Sequence, residues 1–216
     1  MDGYLSWDEK TITDFSEQNI SALYERGFVF TRIDKGVMTQ TRSVRIDLNK
    51  FELTSENKRV LRKVENIQME IAPLPHPNYD WQIHKLGHDF YNAKFGDKTF
   101  SANKIKELLT SEKSNYNKLF VYTMEGAPIG YCICFENSDW LHYGYPFYDL
   151  NAKINNLGIG MMTKAIVWAK ENNKKYVCLG SARDATALYK TQFKGFEWFG
   201  GNEWKMDVDE LKKIFK

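Results

Sequence analysis

One stretch decides the fold, Tyr145–Phe199: YPFYDLNAKINNLGIGMMTKAIVWAKENNKKYVCLGSARDATALYKTQFKGFEWF. It reads as strand, glycine-containing loop, helix, strand, helix, strand. The first strand is aromatic, runs from Tyr143 to Tyr148 and ends at Asp149. A polar loop leads to Leu157-Gly158-Ile159-Gly160. Behind the glycines, Met161, Met162, Ala165, Ile166, Trp168 and Ala169 recur at helical spacing and share one face. Asn172 and Asn173 end that helix, and Tyr176–Leu179 is a short buried strand broken at Gly180.

A strand that opens through glycines into a helix leaves free N–H groups at the helix start. Those donors and the helix dipole favour a phosphate or another anion there. Two readings of Gly158 and Gly160 stay open: an anion cradle, or a tight turn with close packing.

The run Asn155-Asn156-Leu157-Gly158-Ile159-Gly160 resembles the pyrophosphate loop of the GNAT acyltransferase superfamily, Gln/Arg-x-x-Gly-x-Gly/Ala, with Asn155 in place of Gln or Arg. In that superfamily the loop cradles acyl-coenzyme A, and a tyrosine at the place of Tyr189 often acts as general acid. The short step from that tyrosine to a Gly-Phe pair is stretched here, since Lys190 to Lys194 intervene before Gly195-Phe196. Phe147-Tyr148-Asp149, Leu157-Gly158, Ile166 to Lys170, Leu179-Gly180, Tyr189-Lys190 and Phe193-Lys194 look like the C-terminal domain of the arginyl- and leucyl-tRNA–protein transferases. Those enzymes have a GNAT-like fold and take their acyl group from aminoacyl-tRNA.

A second block supports the resemblance. Between Arg26 and Lys63 stand ten basic and four acidic residues, so this segment is strongly positive while the whole chain carries only +2. Such asymmetry points to a polyanion surface; the alternative is an ordinary solvated helix face. Arg26-Gly27-Phe28, Thr41 to Asp47, and Phe51 to Lys63 with its basic helix (Lys58, Arg59, Arg62, Lys63) are similar to the N-terminal half of the same transferases. The two blocks stand in the family's order and cover about half the chain. The family commonly carries a cysteine cluster before the Arg-rich strand. No cysteine precedes Cys132 here, so no iron–sulfur or zinc site can form there.

Composition agrees with a folded protein: 216 residues, 43% hydrophobic and 15% aromatic, enough to bury a core. The three cysteines, Cys132, Cys134 and Cys178, lie in apolar runs and read as reduced core thiols. The opening MDGYLSWDEK is neither a signal nor a transit pattern, and no apolar run approaches a membrane span, so cytoplasm is the expected compartment. His84 and His88 stand four apart near Asp89 without an evident third ligand, so no metal is expected. The Pro-rich stretch 73–78 reads as a linker between a basic N-terminal subdomain (1–72) and a GNAT-like domain (79–216).

The expectation is therefore an α+β, GNAT-like mixed sheet flanked by helices. The resemblance implies an aminoacyltransferase moving an amino acid from aminoacyl-tRNA to the α-amino group of a protein or peptide, with no cofactor. Asp149 and Tyr189 are the catalytic candidates, each with a plain alternative as loop cap or core aromatic. Asn155, Leu157, Gly158, Ile159, Gly160 and Met161 would hold the donor. Tyr148, Arg183, Lys190, Arg59 and Arg62 would hold substrate. The alternatives are an N-acetyltransferase using acetyl-coenzyme A or another acyl-coenzyme A, and a non-catalytic RNA- or peptide-binding relative.

Overall fold

The computed structural model describes residues 5–215; the first four residues of the opening decapeptide lie outside it. The chain opens with β1 (Asp8–Thr11), α1 (Glu17–Glu25), β2 (Phe28–Phe30), β3 (Val37–Gln40), β4 (Ser43–Asp47), α2 (Ser55–Lys63) and β5 (Gln68–Pro73). It continues through α3 (Trp81–Phe95), α4 (Ala102–Thr110), β6 (Lys118–Met124), β7 (Ala127–Glu136) and β8 (Trp140–Tyr148). Last come α5 (Leu157–Glu171), β9 (Tyr176–Ser181), a 3-10 helix (Ala185–Gln192), β10 (Phe196–Phe199), β11 (Trp204–Lys205) and α6 (Val208–Ile214). No helix is long and apolar enough to cross a membrane among the described residues.

Local signals set several of these boundaries. The Thr54 hydroxyl accepts the Asn57 amide and the Asn57 side chain accepts the Thr54 amide, so α2 starts on a reciprocal cap. Glu125 and Gly126 both have positive φ (53° and 79°), the two-residue turn whose twist suits the β6–β7 hairpin.

Eight strands form one sheet in the order β11-β10-β4-β9-β8-β7-β6-β5, and β1-β3-β2 make a small second sheet. In the large sheet only β8 and β9 run parallel, and α5 is the crossover a parallel pair requires. One face of the sheet buries Val44, Ile46, Leu141, Tyr143 and Leu179 against α5 and the end of α2. The other buries Tyr131, Ile133, Trp140 and Phe147 against α1, α3 and α4.

The described part of the expected N-terminal subdomain 1–72, residues 5–72, is not a separate unit. β4 lies inside the large sheet between β10 and β9, and β5 is its edge, paired to β6 from Gln68↔Thr123 to Pro73↔Lys118. The stretch 73–78 is docked rather than free: the Leu74 amide donates to Asn117 O (3.0 Å) and the His76 amide to Leu109 O (2.8 Å). Short apolar strands need partners for their backbone groups, and the open edges available to β4 and β5 belong to the C-terminal sheet.

Folding also consumes much of the basic segment. Arg45, 6% exposed, donates Nε to Glu197 (2.7 Å) and Nη1 to Glu25 (2.7 Å). Its guanidinium lies between two rings, 4.0 Å from the centroid of Tyr176 and 4.1 Å from that of Trp204. Lys50 reaches the other Glu197 oxygen (2.8 Å), Arg42 donates to Ala182 O (3.2 Å) and Arg32 to Thr99 O (2.5 Å). Lys58, Arg62 and Lys63 on α2 remain exposed.

Removing Arg45 leaves a buried carboxylate with only Lys50 for a partner. Arg45→Ala is therefore expected to lower the unfolding free energy by about 3 kcal/mol in a urea titration. A change below about 1 kcal/mol would show that the clamp between β4 and its neighbours contributes little.

Candidate active site at the fork between two strands

β8 and β9 pair at Trp140↔Tyr176, Leu141↔Val177 and His142↔Cys178, and then part. Each strand takes up an extra residue just beyond that point. Against β7, Ile133 faces Tyr145 while Cys134 faces Tyr143, which leaves Gly144 as a bulge in β8. Against β4, Ser43 faces Ser181 while Arg45 faces Cys178, so β9 bulges at Leu179-Gly180. Gly180 has φ +73° and nothing within 4 Å of where a Cβ would stand. The conformation calls for glycine, and the space beside it is open.

The bulge at Gly144 changes which residues face which layer. Leu141 and Tyr143 belong to the α5 side of the core, yet Phe147 belongs to the opposite side. One extra residue reverses the alternation. Tyr148 at the strand's end lies where the sheet has opened and touches both layers. Its ring is 4.7 Å from that of Phe90 on α3, and its Cε1 lies 2.9 Å from an ideal Cβ on Gly158 of α5.

Helix α5 begins at Leu157, not behind the glycines, so Gly158 and Gly160 sit in its first turn. Asn156 caps it with a left-handed backbone (φ 67°) and no side-chain bond. The Gly160 amide makes the first helical bond, to Asn156 O (2.8 Å), and the amides of Leu157, Gly158 and Ile159 have no acceptor among the described residues. The two glycines do different jobs. Gly158 makes room for the Tyr148 ring, whereas a Cβ on Gly160 would lie 2.6 Å from Val64 at the end of α2. Leu157 is buried in the core, and the Met161 carbonyl accepts the Tyr122 hydroxyl (3.0 Å), so both belong to the packing of the helix. Asn155 lines a surface cavity of about 350 Å³ together with Lys63 and Lys153.

Tyr189 and Lys190 lie on the 3-10 helix after β9. Tyr189 is half exposed; burial and the neighbouring Tyr148 hold its phenol above the ordinary value, so it stays protonated at neutral pH. Lys190 is 8% exposed and donates Nζ to Leu179 O (2.8 Å) and Ser181 O (2.9 Å). Burial pulls its ammonium down to about 8. Burial likewise takes His142 down to about 3, with Lys190 adding to the effect, and pushes the Cys178 thiol up to about 12.

Asp149 ends β8: its amide donates to Ile129 O (2.9 Å) and its Oδ1 accepts the Asn151 amide (2.8 Å). That bond caps a turn, and the second carboxylate oxygen has no donor among the described residues. Arg183 is exposed, its Nε 3.9 Å from Asp184. Arg59 pairs with Glu56 (2.7 Å) and Arg62 is exposed, so these two stand on the outer side of α2 rather than at the fork. His84 bonds Tyr79 and His88 bonds Asn92, and no group of three or more potential metal ligands converges among the described residues.

The site thus joins Tyr148, the α5 start, Tyr189 and Lys190, with Asp149 at the rim. Sequence reasoning missed the two bulges and Lys153 at the cavity. Gly144 inside an aromatic strand was the available signal for the first bulge. Nothing in the spacing pairs Lys63 with Lys153.

Gly160→Ala is expected to cost about 1–3 kcal/mol through the clash with Val64. Adding Val64→Ala should recover part of that loss in chemical denaturation; no recovery would mean the contact is not limiting. A second outcome concerns pH. The Lys190 amine loses its proton near pH 8 when folded and near its ordinary value of 10.5 when unfolded, so the charged form opposes folding below pH 8 and that opposition fades as pH rises. The stability of wild type relative to Lys190→Met should therefore rise by about 3 kcal/mol between pH 7 and pH 10.5. A constant difference would show that the amine is solvated.

No protein-family model matches the chain. Over 171 residues it is 23% identical to an aspartate/glutamate leucyltransferase of Saccharophagus degradans, covering 74% of this chain and 69% of that protein. Its fold is similar to that of L-PGS from Bacillus licheniformis, with a TM-score of 0.50 at 10% identity over 92% of this chain and 70% of that one. A GNAT family acetyltransferase from Elizabethkingia anophelis with acetyl-CoA bound gives a TM-score of 0.40 at 16% identity over 59% of this chain and 74% of that one. The architecture is α+β: a large, mostly antiparallel sheet flanked by helices, whose parallel strands part beside a helix start.

Proposed function

We propose that this protein is an aminoacyltransferase that moves an amino acid from aminoacyl-tRNA to the α-amino group of a protein or peptide. The observation that carries the reading is the likeness to a leucyltransferase across 171 residues. The geometry supports it. The unpaired amides of α5, with Lys63, Lys153 and Asn155 beside them, offer an anion surface suited to the terminal phosphates of a polynucleotide. The exposed cations of α2, Arg62 among them, extend that surface. On this reading the ester carbonyl enters the fork beside Tyr148 and Tyr189.

Transfer requires that the amine attack the ester carbonyl, that a C–N bond form and that the ester bond between the carbonyl carbon and the ribose oxygen break. The Tyr189 hydroxyl is a proton donor for the leaving oxygen. The free oxygen of Asp149 orients the incoming amine. The name of the leucyltransferase relative points to an acceptor with N-terminal Asp or Glu, for which exposed Arg183 is a countercharge. This reading needs no cofactor and sets the protein where charged tRNA is, in the cytoplasm. A second reading, transfer from acetyl-coenzyme A, is favoured by the same unpaired amides around Gly158, where a pyrophosphate would sit.

The test is transfer of a labelled amino acid from charged tRNA to peptides with Asp, Glu, Arg or Lys at the N-terminus, run beside acetyl-coenzyme A as donor. Turnover only with coenzyme A selects the second reading. Turnover with neither leaves a non-catalytic binding relative. Lys63→Ala and Lys153→Ala are each expected to weaken tRNA binding and to reduce the salt slope of log K by about 0.9. Unchanged slopes would remove this surface from the binding site.

A further inference from the structure

Lys190 sits at the root of the fork. Its Nζ bonds the carbonyls on either side of Gly180, and its charge acts on His142 and Cys178, the last residues of β8 and β9 to pair. Leu179 and Ser181 belong to the part of β9 that β8 has left, so the amine stands where a strand's N–H groups would. Burying an ammonium is costly unless an anion accompanies it. None does. Cys178 and His142 are both neutral at pH 7, and Asp184 acts only at a distance while its Oδ1 takes the Thr186 amide (2.9 Å). Arg183 beside it is a further cation, and the Tyr189 ring centroid lies 5.9 Å from Nζ.

A lysine nitrogen carries three hydrogens when charged, or two and a lone pair when neutral. Here two N–H groups are tied to carbonyls. Protonation therefore changes only the remaining direction, which is an N–H in one form and a lone pair in the other. Open space borders the adjoining Gly180.

We propose that neutral Lys190 is the proton acceptor of the site, taking a proton from the ammonium of the amine to be acylated. The proposal rests on the transfer reading above and supplies a step which that reading leaves open. The acceptor R–NH3+ gives one proton to Nζ, and the freed electron pair forms the new C–N bond as the bond between the carbonyl carbon and the ribose oxygen breaks. The leaving oxygen takes the Tyr189 proton, the nitrogen's second proton restores Tyr189, and Lys190 returns its proton to water. An acceptor α-ammonium has an ordinary pKa of about 8. Burial brings Lys190 to about 8 as well, so the proton moves between nearly matched groups.

The experiment combines a pH profile with a direct titration. The Cε resonance of Lys190 is followed by NMR in the wild-type protein, and kcat/KM is measured against pH for wild type, Lys190→Arg and Lys190→Gln with whichever donor sustains turnover. The expected result is a resonance that titrates near pH 8. In addition, kcat/KM should rise through the same pH, and both variants should lose about 10²–10⁴-fold in kcat while binding donor with wild-type affinity. Melting curves confirm that the variants fold, and the wild-type titration does not depend on them. A resonance titrating above pH 10, or a Lys190→Arg enzyme within about tenfold of wild type, overturns the proposal. Absence of turnover in wild type with either donor overturns the transfer reading instead, and this step with it.

Discussion

β9 is held along one side and released along the other, and the site depends on that inequality. On the β4 side its pairing runs from Asp47↔Tyr176 to Ser43↔Ser181. The Arg45 clamp reinforces that edge by joining β4 to Glu197 of β10 and stacking on Tyr176 of β9. On the β8 side pairing stops at His142↔Cys178. A strand fixed to one neighbour cannot follow another that turns away, so the sheet opens between them.

Backbone chemistry then determines what the opening contains. A splayed pair leaves carbonyls without partners, and buried carbonyls need donors. Lys190 supplies two N–H groups to Leu179 and Ser181. The arrangement satisfies those acceptors and leaves a desolvated amine at the root of the fork. Pro146, which has no N–H to give, lies just past the Gly144 bulge, where β8 no longer pairs with β9. The same bulge brings Tyr148 to the α5 start. The two strand irregularities and the buried lysine belong to one construction.

Much of this was legible in the residues. The aromatic β8, the amphipathic α5 and the short β9 follow from period and turn chemistry. A glycine-bearing helix start was visible at Leu157-Gly158-Ile159-Gly160, but the split of duties between its glycines was not. Gly160 answers to Val64, a residue almost a hundred positions earlier, and local spacing carries no record of such a neighbour. The charged segment misled in a similar way. Arg45 and Arg42 look like surface cations by type, yet stacking and carbonyl contacts use them internally.

The residues alone determined the order of strands and helices across Tyr145–Phe199, because hydrophobic period and glycine position are local properties. They also determined that a helix start with unpaired amides would follow an aromatic strand. Only the tertiary structure decided that β4 enters the centre of the sheet, that two bulges open a fork, and that Lys190 lies desolvated at its root. Those outcomes depend on which distant edges and side chains meet, and burial, which sets the chemistry of an amine, exists only once they have met.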